Sequence, residues 1–276
     1  HKKEAVKAWL TGAKQNPARS EFLYQPPAVD YSGDSDRLVV DADLSIRSSL
    51  LVRNYIFQGQ DKADKVGAIP MESKGEYLIP GTTVKGVLRN HAAYILRRMG
   101  FAEEESDKML NGLMGNMQKE NVSATEKTDK TKSRFVVKEI YFSKNAPGIK
   151  PFVQRRNRID RFTGGTVDTA LFATKPLWKN GNGAPVHIHF EITKCNVKAN
   201  WEAGLALFLL KDLCIGNIAI GGEKSVGRGT MQGERIRIHL NDNDWELDSN
   251  GKVVKGDAAA LEEMAAALVA KGQVRN

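Results

Sequence analysis

The chain has 276 residues and a formal net charge of +8, from 41 Lys and Arg against 33 Asp and Glu. A chain of this length can bury a sizeable core, and its positive excess favours polyanionic partners, although charge alone leaves an ordinary basic protein equally open. No apolar run approaches the roughly 20 residues that cross a bilayer, and no secretory signal is visible, so we expect no membrane partner. Cys195 and Cys214 form no Cys-x-x-Cys pair, which predicts free thiols, no zinc site built on cysteines and a cytoplasmic location.

The N-terminal part of the chain predicts a helix, a linker and then a strand. Apolar residues at helical spacing open the segment 1–36, and prolines and a glycine follow, so we predict an N-terminal helix and linker there. Alternation with period two from Leu38 to Arg47 predicts the first strand. The chain begins with His1 rather than Met, which favours a segment of a longer protein.

The central part predicts one helix, one strand and two irregular stretches. A helix with an apolar stripe follows Pro80-Gly81, and Thr82 is its expected N-cap. Residues 102–133 are charged and are expected to be mobile at 118–133, before a second strand over about Phe135–Phe142. Residues 144–185 show little regular pattern but contain much Arg, Gly and Thr, and loops of that length are usually functional or disordered.

The C-terminal part predicts a third strand over 186–192, a helix from Trp201 to Cys214, a last strand from Thr230 to Leu240 and a final Ala-rich helix. The element order predicts an α+β fold with a ferredoxin-like (RRM-like) βαββαβ core over 37–240 and long insertions. Residues 241–276 are expected to form a helical tail. In this order the first strand separates the third from the fourth.

The segment from Leu78 to Arg89 joins an apolar run to a Pro-Gly turn and a helix. The first N–H groups of such a helix, those of Thr83, Val84 and Lys85, form an anion site together with the helix dipole, so Thr82 and Thr83 are candidate RNA-binding residues. Lys85 and Arg89 are four residues apart and extend the positive surface on one helix face. The simpler interpretation is a capped helix with solvated basic residues.

A second basic segment lies far downstream, from Gly221 to Gly229. Its four glycines allow the backbone to approach a ligand closely, and it carries further candidate RNA-binding residues: Gly221, Gly222, Lys224, Ser225 and Arg228. It lacks the Gly-Lys-Ser/Thr order of a Walker loop and leads into a strand. A flexible turn is the alternative.

A third basic segment combines arginines with an aromatic residue inside the long insertion. Arginine forks match phosphates and an exposed Phe can stack on a base, so the candidate RNA-binding residues here are Arg155, Arg156, Arg158, Arg161 and Phe162. A solvated charge run remains the alternative.

The predicted sheet face offers neither a stacking platform nor a clear metal site. Asp41 and Asp43 stand where an RNA-recognition sheet would carry aromatic residues, so any RNA should be held by loops. His187 and His189 share a strand face and invite a metal, but the first strand separates them from His239. We therefore expect no metal site there.

The three basic segments, in this order, resemble the RAMP superfamily (repeat-associated mysterious proteins), specifically the backbone subunits of type III CRISPR effector complexes. The family motif Ile-Pro-Gly-Ser/Thr-Ser/Thr-x-Lys-Gly-x-Leu/Met-Arg is matched by Ile79 to Arg89. The family's arginine and Thr-Gly-Gly segment is matched by Arg158 to Gly165, and its glycine-rich loop by Ile220 to Gly229. The resemblance covers about residues 37–240.

The resemblance implies a module that grips the backbone of a CRISPR guide RNA in antiviral defence and shapes the guide–target duplex with a projecting thumb, which the resemblance places within the insertion 144–175. Implied partners are the guide RNA, the complementary target RNA and neighbouring RAMP modules. Target-cutting members carry an Asp in an Ile-Gly-x-Ile-Asp context before the first helix. Here the closest text is Val66 to Pro70, which puts Pro at the Asp position, whereas counting back from Pro80 brings Asp64 or Asp61 near it.

Three functions therefore remain open. The first is a guide-binding module without its own active site, which the proline favours. The second is a target-RNA endonuclease with Asp64 or Asp61 as the catalytic acid, and a divalent metal is expected only in that case. The third is a protein-only scaffold whose basic loops meet acidic partners.

Overall fold

The structure, a computed structural model, describes residues 36–54, 66–116, 131–195 and 201–273. The predicted N-terminal helix, the linker up to Ser35, most of the stretch expected to be mobile, and the candidate acids Asp61 and Asp64 lie outside these ranges. The described part is a mixed α+β structure with antiparallel sheets, which confirms the predicted fold class. No helix in these ranges combines the length and apolar character that membrane crossing requires.

The helices and strands are numbered here in chain order. The helices are α1 (Gly81–Arg98), α2 (Glu103–Met114), α3 (Trp201–Cys214) and α4 (Ala258–Gln273). The strands are β1 (Arg37–Ile46), β2 (Ser49–Leu50), β3 (Glu72–Ser73), β4 (Glu76–Ile79), β5 (Phe135–Val137), β6 (Ile140–Phe142), β7 (Gly148–Pro151), β8 (Gln154–Ile159), β9 (Thr166–Thr174), β10 (Leu177–Asn180), β11 (Val186–Thr193), β12 (Met231–Leu240), β13 (Asn243–Leu247) and β14 (Val253–Lys255).

A six-stranded sheet with the order β14-β13-β12-β1-β11-β5 organises the fold. Its β1 strand lies between β11 and β12 and pairs antiparallel with both, as the sequence predicts for the first, third and fourth strands. Alternate residues of β1, such as Val40 and Ala42, are buried and stand opposite buried residues of β11 and β12. Period-two alternation therefore places one apolar face toward the core.

The helices pack against this apolar face. Val84 and Leu88 of α1 and Leu209 of α3 are buried in the same core as the strand residues, and α4 packs on α3. Gly204 of α3 allows that contact, because a Cβ there would collide with the carbonyl oxygen of Met264 in α4. The opposite sheet face is left with charged side chains.

Three smaller sheets surround the core: β2-β10-β7, β3-β4-β6 and the hairpin β8-β9. The chain between β1 and α1 contributes β2 to the first of these sheets and β3 and β4 to the second. The amide of Met71 donates to the carbonyl oxygen of Val52 (2.7 Å), and the amide of Leu78 donates to that of Met71 (2.9 Å). These bonds tie the start of α1 to the segment that follows β2.

The structure corrects the prediction at four places. The strand expected over 135–142 is two strands, and they belong to different sheets. Residues 144–185, read as irregular, hold β7 to β10, and α2 forms where only a charged stretch was expected. The tail beyond 240 contains β13 and β14 before its helix, so it extends the central sheet.

Candidate nucleic-acid interface

The start of α1 is set by backbone contacts rather than by a side-chain cap. Pro80 is the N-cap, and its carbonyl oxygen accepts the amides of Thr83 (2.9 Å) and Val84 (3.3 Å). The prediction that Thr82 is the N-cap is therefore wrong: Thr82 is exposed and lies inside the first turn. Gly81 is fixed by packing, because a Cβ there would collide with the carbonyl oxygen of Val137.

The two basic residues of this helix contact its neighbours. Arg89 donates from Nη1 to the carbonyl oxygen of Gly115 (2.8 Å) and from Nη2 to Oδ1 of Asn111 (2.6 Å), which caps the C-terminal end of α2. Lys85 donates from Nζ to Oγ of Ser133 (2.6 Å). Burial lowers the pKa of Lys85, and the charge of Arg89 lowers it further. Arg89 therefore has a structural role between α1 and α2, whereas Lys85 uses one of its three N–H donors for the bond to Ser133.

The segment 221–229, here called the glycine-rich loop, has a defined conformation. Gly221 (φ +90°) and Gly229 (φ +81°) occupy the left-handed region that favours glycine. The amides of Gly222 and Gly229 donate to the carbonyl oxygens of Leu51 (2.8 Å) and Ser49 (2.7 Å). These two bonds attach both ends of the loop to the segment 49–51.

The tip of the glycine-rich loop faces solvent. Lys224 and Ser225 lie in a single turn of 3-10 helix over Lys224–Val226, and both are exposed. Glu223, just before this turn, has a left-handed backbone (φ 57°), which is unusual for a residue with a side chain. The loop therefore presents a cation outward and aims Glu223 inward.

The strands β8 and β9 form a second projecting element, here called the arginine hairpin. In β8 the half-buried Gln154 and Arg156 alternate with the exposed Arg155 and Asn157, so one side of the strand faces the body of the protein. Arg158 is exposed further along. The period-two alternation that marks a strand is present here, but both of its faces are polar.

The tip of the arginine hairpin is organised by Asp160. Its Oδ1 accepts the amides of Phe162 (2.9 Å) and Thr163 (2.8 Å), and these backbone bonds lower the pKa of Asp160 below its ordinary value. The tip leaves Phe162 99 % exposed, next to the exposed Arg161. An aromatic ring in that position is available for stacking.

Arg228, predicted to contact RNA, is buried instead, with only 2 % of the residue exposed. Its Nη1 donates to Oγ of Ser49 (2.7 Å), its Nη2 donates to Oε1 of Gln154, and its guanidinium lies 5.1 Å from the ring centroid of Trp178. In this conformation the side chain offers no surface to a ligand. Its contacts join the glycine-rich loop to the arginine hairpin.

Glu223 is the centre of this junction. It accepts Nε of Arg228 (2.6 Å) and Nη2 of Arg156 (2.6 Å), and Arg53 approaches it at 3.4 Å. Burial on its own raises the pKa of Glu223, but the hydrogen bonds from Arg228 and Arg156 outweigh it and hold the pKa below its ordinary value. We call the four residues Arg53, Arg156, Glu223 and Arg228 the arginine cluster.

The structure thus brings two of the three predicted basic segments together. The glycine-rich loop and the arginine hairpin meet in the arginine cluster, whereas the hydrogen bonds of Lys85 and Arg89 go to α2 and to the residues before β5. Arg53 and Glu223 are not among the residues that the sequence predicts for the site. The available signals were a basic residue directly after the apolar Leu50–Val52 run and a lone acid in a basic loop.

The borders of the segment 55–65, which carries Asp61 and Asp64, lie near the arginine cluster. Arg53, two residues before it, belongs to the cluster, and the amide of Gly67, two residues after it, donates to the carbonyl oxygen of Ala173 in β9 (2.9 Å). Pro70 is buried and pairs with Arg53.

The charged face of the central sheet, here the polar sheet face, is built differently. His187 contacts both Asp43 (2.7 Å) and Asp41 (3.0 Å), and His189 contacts both Asp41 (2.8 Å) and Glu191 (2.7 Å). Within the described ranges no group of three or more His, Cys, Asp or Glu is arranged to hold a metal ion. His239, across β1 from β11, pairs with Asp244 of β13.

A family model of the RAMP superfamily matches residues 51–232, which is more than half of the chain. The match includes the start of α1, the arginine hairpin and the arginine cluster. A search of curated proteins found no match.

Proposed function

Because the chain belongs to the RAMP superfamily, whose members have a CRISPR-associated role in binding RNA, we propose that it is a backbone module of a type III effector complex. In this proposal it holds the phosphate backbone of a guide RNA and shapes the guide–target duplex, alongside neighbouring RAMP modules in the cytoplasm. The observation that carries the proposal is the junction of the glycine-rich loop and the arginine hairpin through Glu223.

The charge and shape of the arginine hairpin support this role. Residues 154–174 contain four Arg against Asp160 and Asp168, a net charge of +2. Arg158 and Arg161 are exposed, and Phe162 stands free at the tip. A rigid projection with cations along it and one aromatic ring at its end suits a nucleic-acid duplex, since phosphates meet arginines and a base step meets the ring.

The topology supports a ferredoxin-like core as part of the same proposal. Four of its strands lie in the order β12-β1-β11-β5. In the chain, α1 lies between β1 and β5 and α3 lies between β11 and β12, and both helices pack on the same sheet face. In this arrangement the polar sheet face carries Asp41 and Asp43 rather than aromatic residues, so the RNA is held by the projecting loops.

The test is retention of a guide RNA. The full chain is expressed together with a CRISPR array, purified at moderate salt, and any bound nucleic acid is extracted and sized. We expect RNA of guide length in the wild-type preparation. Protein free of nucleic acid that instead captures acidic polypeptides would favour the protein-only scaffold and overturn the proposal.

The Phe162→Ala variant tests the second half of the proposal. Its stability should equal that of the wild type, because the ring is 99 % exposed. Guide retention should also be unchanged, while binding of a complementary target to the guide-loaded protein should change. Identical target binding by both proteins contradicts a duplex-shaping role for the hairpin tip.

A target-RNA endonuclease is the second candidate function, because the borders of segment 55–65 are anchored beside the arginine cluster and β9. Guide-loaded protein is incubated with complementary RNA and a divalent metal, with Asp61→Ala and Asp64→Ala as variants. Cleavage that one variant abolishes supports this function. The buried Pro70, which stands where one alignment places the catalytic Asp, favours a module that does not cut.

A further inference from the structure

The arginine cluster carries more positive charge than its carboxylate neutralises. Three guanidiniums, those of Arg53, Arg156 and Arg228, share the carboxylate of Glu223 as their common ion-pair partner. The first two are the accessible ones, with side chains 39 % and 21 % exposed, whereas Arg228 is enclosed. The cluster therefore has an excess charge of about +2 that faces solvent through Arg53 and Arg156.

Donors in the cluster also lack acceptors. The Nε atoms of Arg53 and Arg156 are buried and have no hydrogen-bond partner among the described residues, and the same holds for Nε1 of the neighbouring Trp178. A buried donor without an acceptor costs free energy, about 1–3 kcal/mol for each group. Because both Nε atoms are enclosed, a ligand would meet the accessible parts of these two side chains, and the excess positive charge there indicates an anionic oxygen ligand.

Both accessible arginines are held in place before any ligand arrives. The guanidinium of Arg156 lies 4.8 Å from the ring centroid of Phe172, which restrains its plane. Arg53 is placed by the contact of its Nη2 with Oε1 of Glu223 (3.4 Å), and its Nε lies next to Gly222. Planar guanidiniums in fixed positions suit the geometry of a phosphate group.

We propose that Arg53 and Arg156, which share Oε1 of Glu223, form a subsite for one phosphodiester of the bound RNA, with Glu223 as the positioning residue. This inference rests on the proposed function and adds a specific contact to it. Glu223 holds both guanidiniums through this one oxygen while its Oε2 accepts from Arg228, and the phosphate supplies the charge that one carboxylate does not. An RNA phosphate is favoured over an acidic peptide because the exposed cations of the arginine hairpin lie alongside.

The test neutralises one phosphate at a time. Short unstructured oligouridylates that carry a single uncharged methylphosphonate at successive positions are titrated against the full chain and against Arg156→Gln. For the wild type we expect one position at which neutralisation weakens binding roughly tenfold, the size expected for a charge-assisted contact. In Arg156→Gln that penalty should disappear, because the partner of the phosphate is already gone.

Two further variants complete the experiment. Arg53→Gln should abolish the same penalty, which keeps the test valid if Arg156→Gln misfolds. Arg237→Gln, on the polar sheet face, should keep the full penalty. If the wild type binds RNA but the penalty survives in both Arg53→Gln and Arg156→Gln, the subsite is wrong and the proposed function stands.

The remaining outcomes separate the two proposals. If the wild type binds no oligouridylate and retains no guide, the proposed function fails and the subsite falls with it. If an oligoglutamate peptide competes with the RNA only when Arg53 and Arg156 are intact, and no single phosphate shows a penalty, the cluster is a site for acidic peptides and the phosphodiester subsite is overturned.

Discussion

The polar sheet face and the arginine cluster are built from the same residue types and differ in how their charges are arranged. On the sheet face the sign changes from strand to strand: Arg237 of β12 lies 4.0 Å from Asp43 of β1, and Arg235 of β12 pairs with Glu246 of β13 (2.9 Å). In the arginine cluster three guanidiniums converge on one carboxylate. The first surface neutralises itself, and the second does not.

The net charge of +8 does not show which surface of the chain attracts an anion. The difference between the two regions indicates that this surface is the arginine cluster. Alternating charges stabilise the register of the sheet but cancel at a distance, so they attract no polyanion. Like charges gathered around one counter-charge attract an anion that completes the set. We therefore expect RNA affinity to depend on the arginine cluster and the arginine hairpin, and to be indifferent to the sheet face.

The largest expected effect is on the free energy of unfolding, when a buried arginine of the cluster and an exposed arginine of the sheet face are each replaced by alanine. Arg228→Ala removes, in a buried site, the hydrogen bonds to Ser49 and Gln154 and one of the ion pairs of Glu223, so the free energy of unfolding should fall by about 3–5 kcal/mol. Arg235→Ala removes an exposed ion pair and should cost less than about 1 kcal/mol. Urea denaturation of both variants measures the difference.

The comparison fails if the two variants lose the same stability. Circular dichroism at 25 °C checks that Arg228→Ala still folds. If it does not, Arg228→Met, which keeps much of the side-chain volume, takes its place and should also fall below Arg235→Ala.

A second, smaller effect concerns the salt dependence of RNA binding. Arg158→Gln removes an exposed cation of the arginine hairpin, so the slope of log K against log salt should fall in magnitude by about 0.7, the value for one phosphate contact on a single strand. Arg237→Gln removes a cation that lies 4.0 Å from Asp43 and should leave the slope unchanged. Equal slopes for the two variants would remove the electrostatic distinction between the regions.

The smallest effect is a difference in pH dependence. The pKa of Glu223 lies below its ordinary value of 4.5, because bonds from Arg228 and Arg156 outweigh the effect of burial. A depressed pKa in the folded state adds stability above pH 4.5, and this stability is lost as the pH falls through the folded pKa. The stability gap between wild type and Glu223→Gln should therefore be constant at neutral pH and shrink below pH 4.5.

Asp41 provides the matched comparison on the polar sheet face. Its pKa is also held below the ordinary value, here 3.8, because the bonds and charges of His189 and His187 outweigh burial. The gap between wild type and Asp41→Asn should shrink only below pH 3.8. Urea denaturation over a pH series measures both gaps, and a gap that grows on acidification contradicts the sign derived for that residue.

The sequence predicts the central elements well where one periodicity dominates. The helix predicted from Trp201 to Cys214 has those bounds in the structure, and the strands predicted over 186–192 and 230–240 differ from β11 and β12 by one residue. In each of these elements the apolar residues mark a core face, so the local pattern agrees with the tertiary structure.

The sequence fails where the decisive partners are distant. The strand β8 cannot be predicted from alternating hydrophobicity, because both of its faces are polar. Its half-buried face is identified only by the tertiary contact between Arg156 and Glu223. The burial of Arg228 depends on its contacts with Ser49 and Gln154, and the sequence near residue 228 does not predict these contacts. Long-range polar contacts leave no periodic signal, so the candidate site was predicted by residue type and not by role.

The enclosed position of Arg228 has a consequence for the order of folding. Its contact with Ser49 spans 179 positions and its contact with Gln154 spans 74. Closing such separations is slow, and during synthesis it must wait until residue 228 has left the ribosome. Until then the arginine hairpin lacks its contacts with the glycine-rich loop, so the proposed RNA-binding surface should mature only after the strands β1 to β11 and residue 228 have been synthesised.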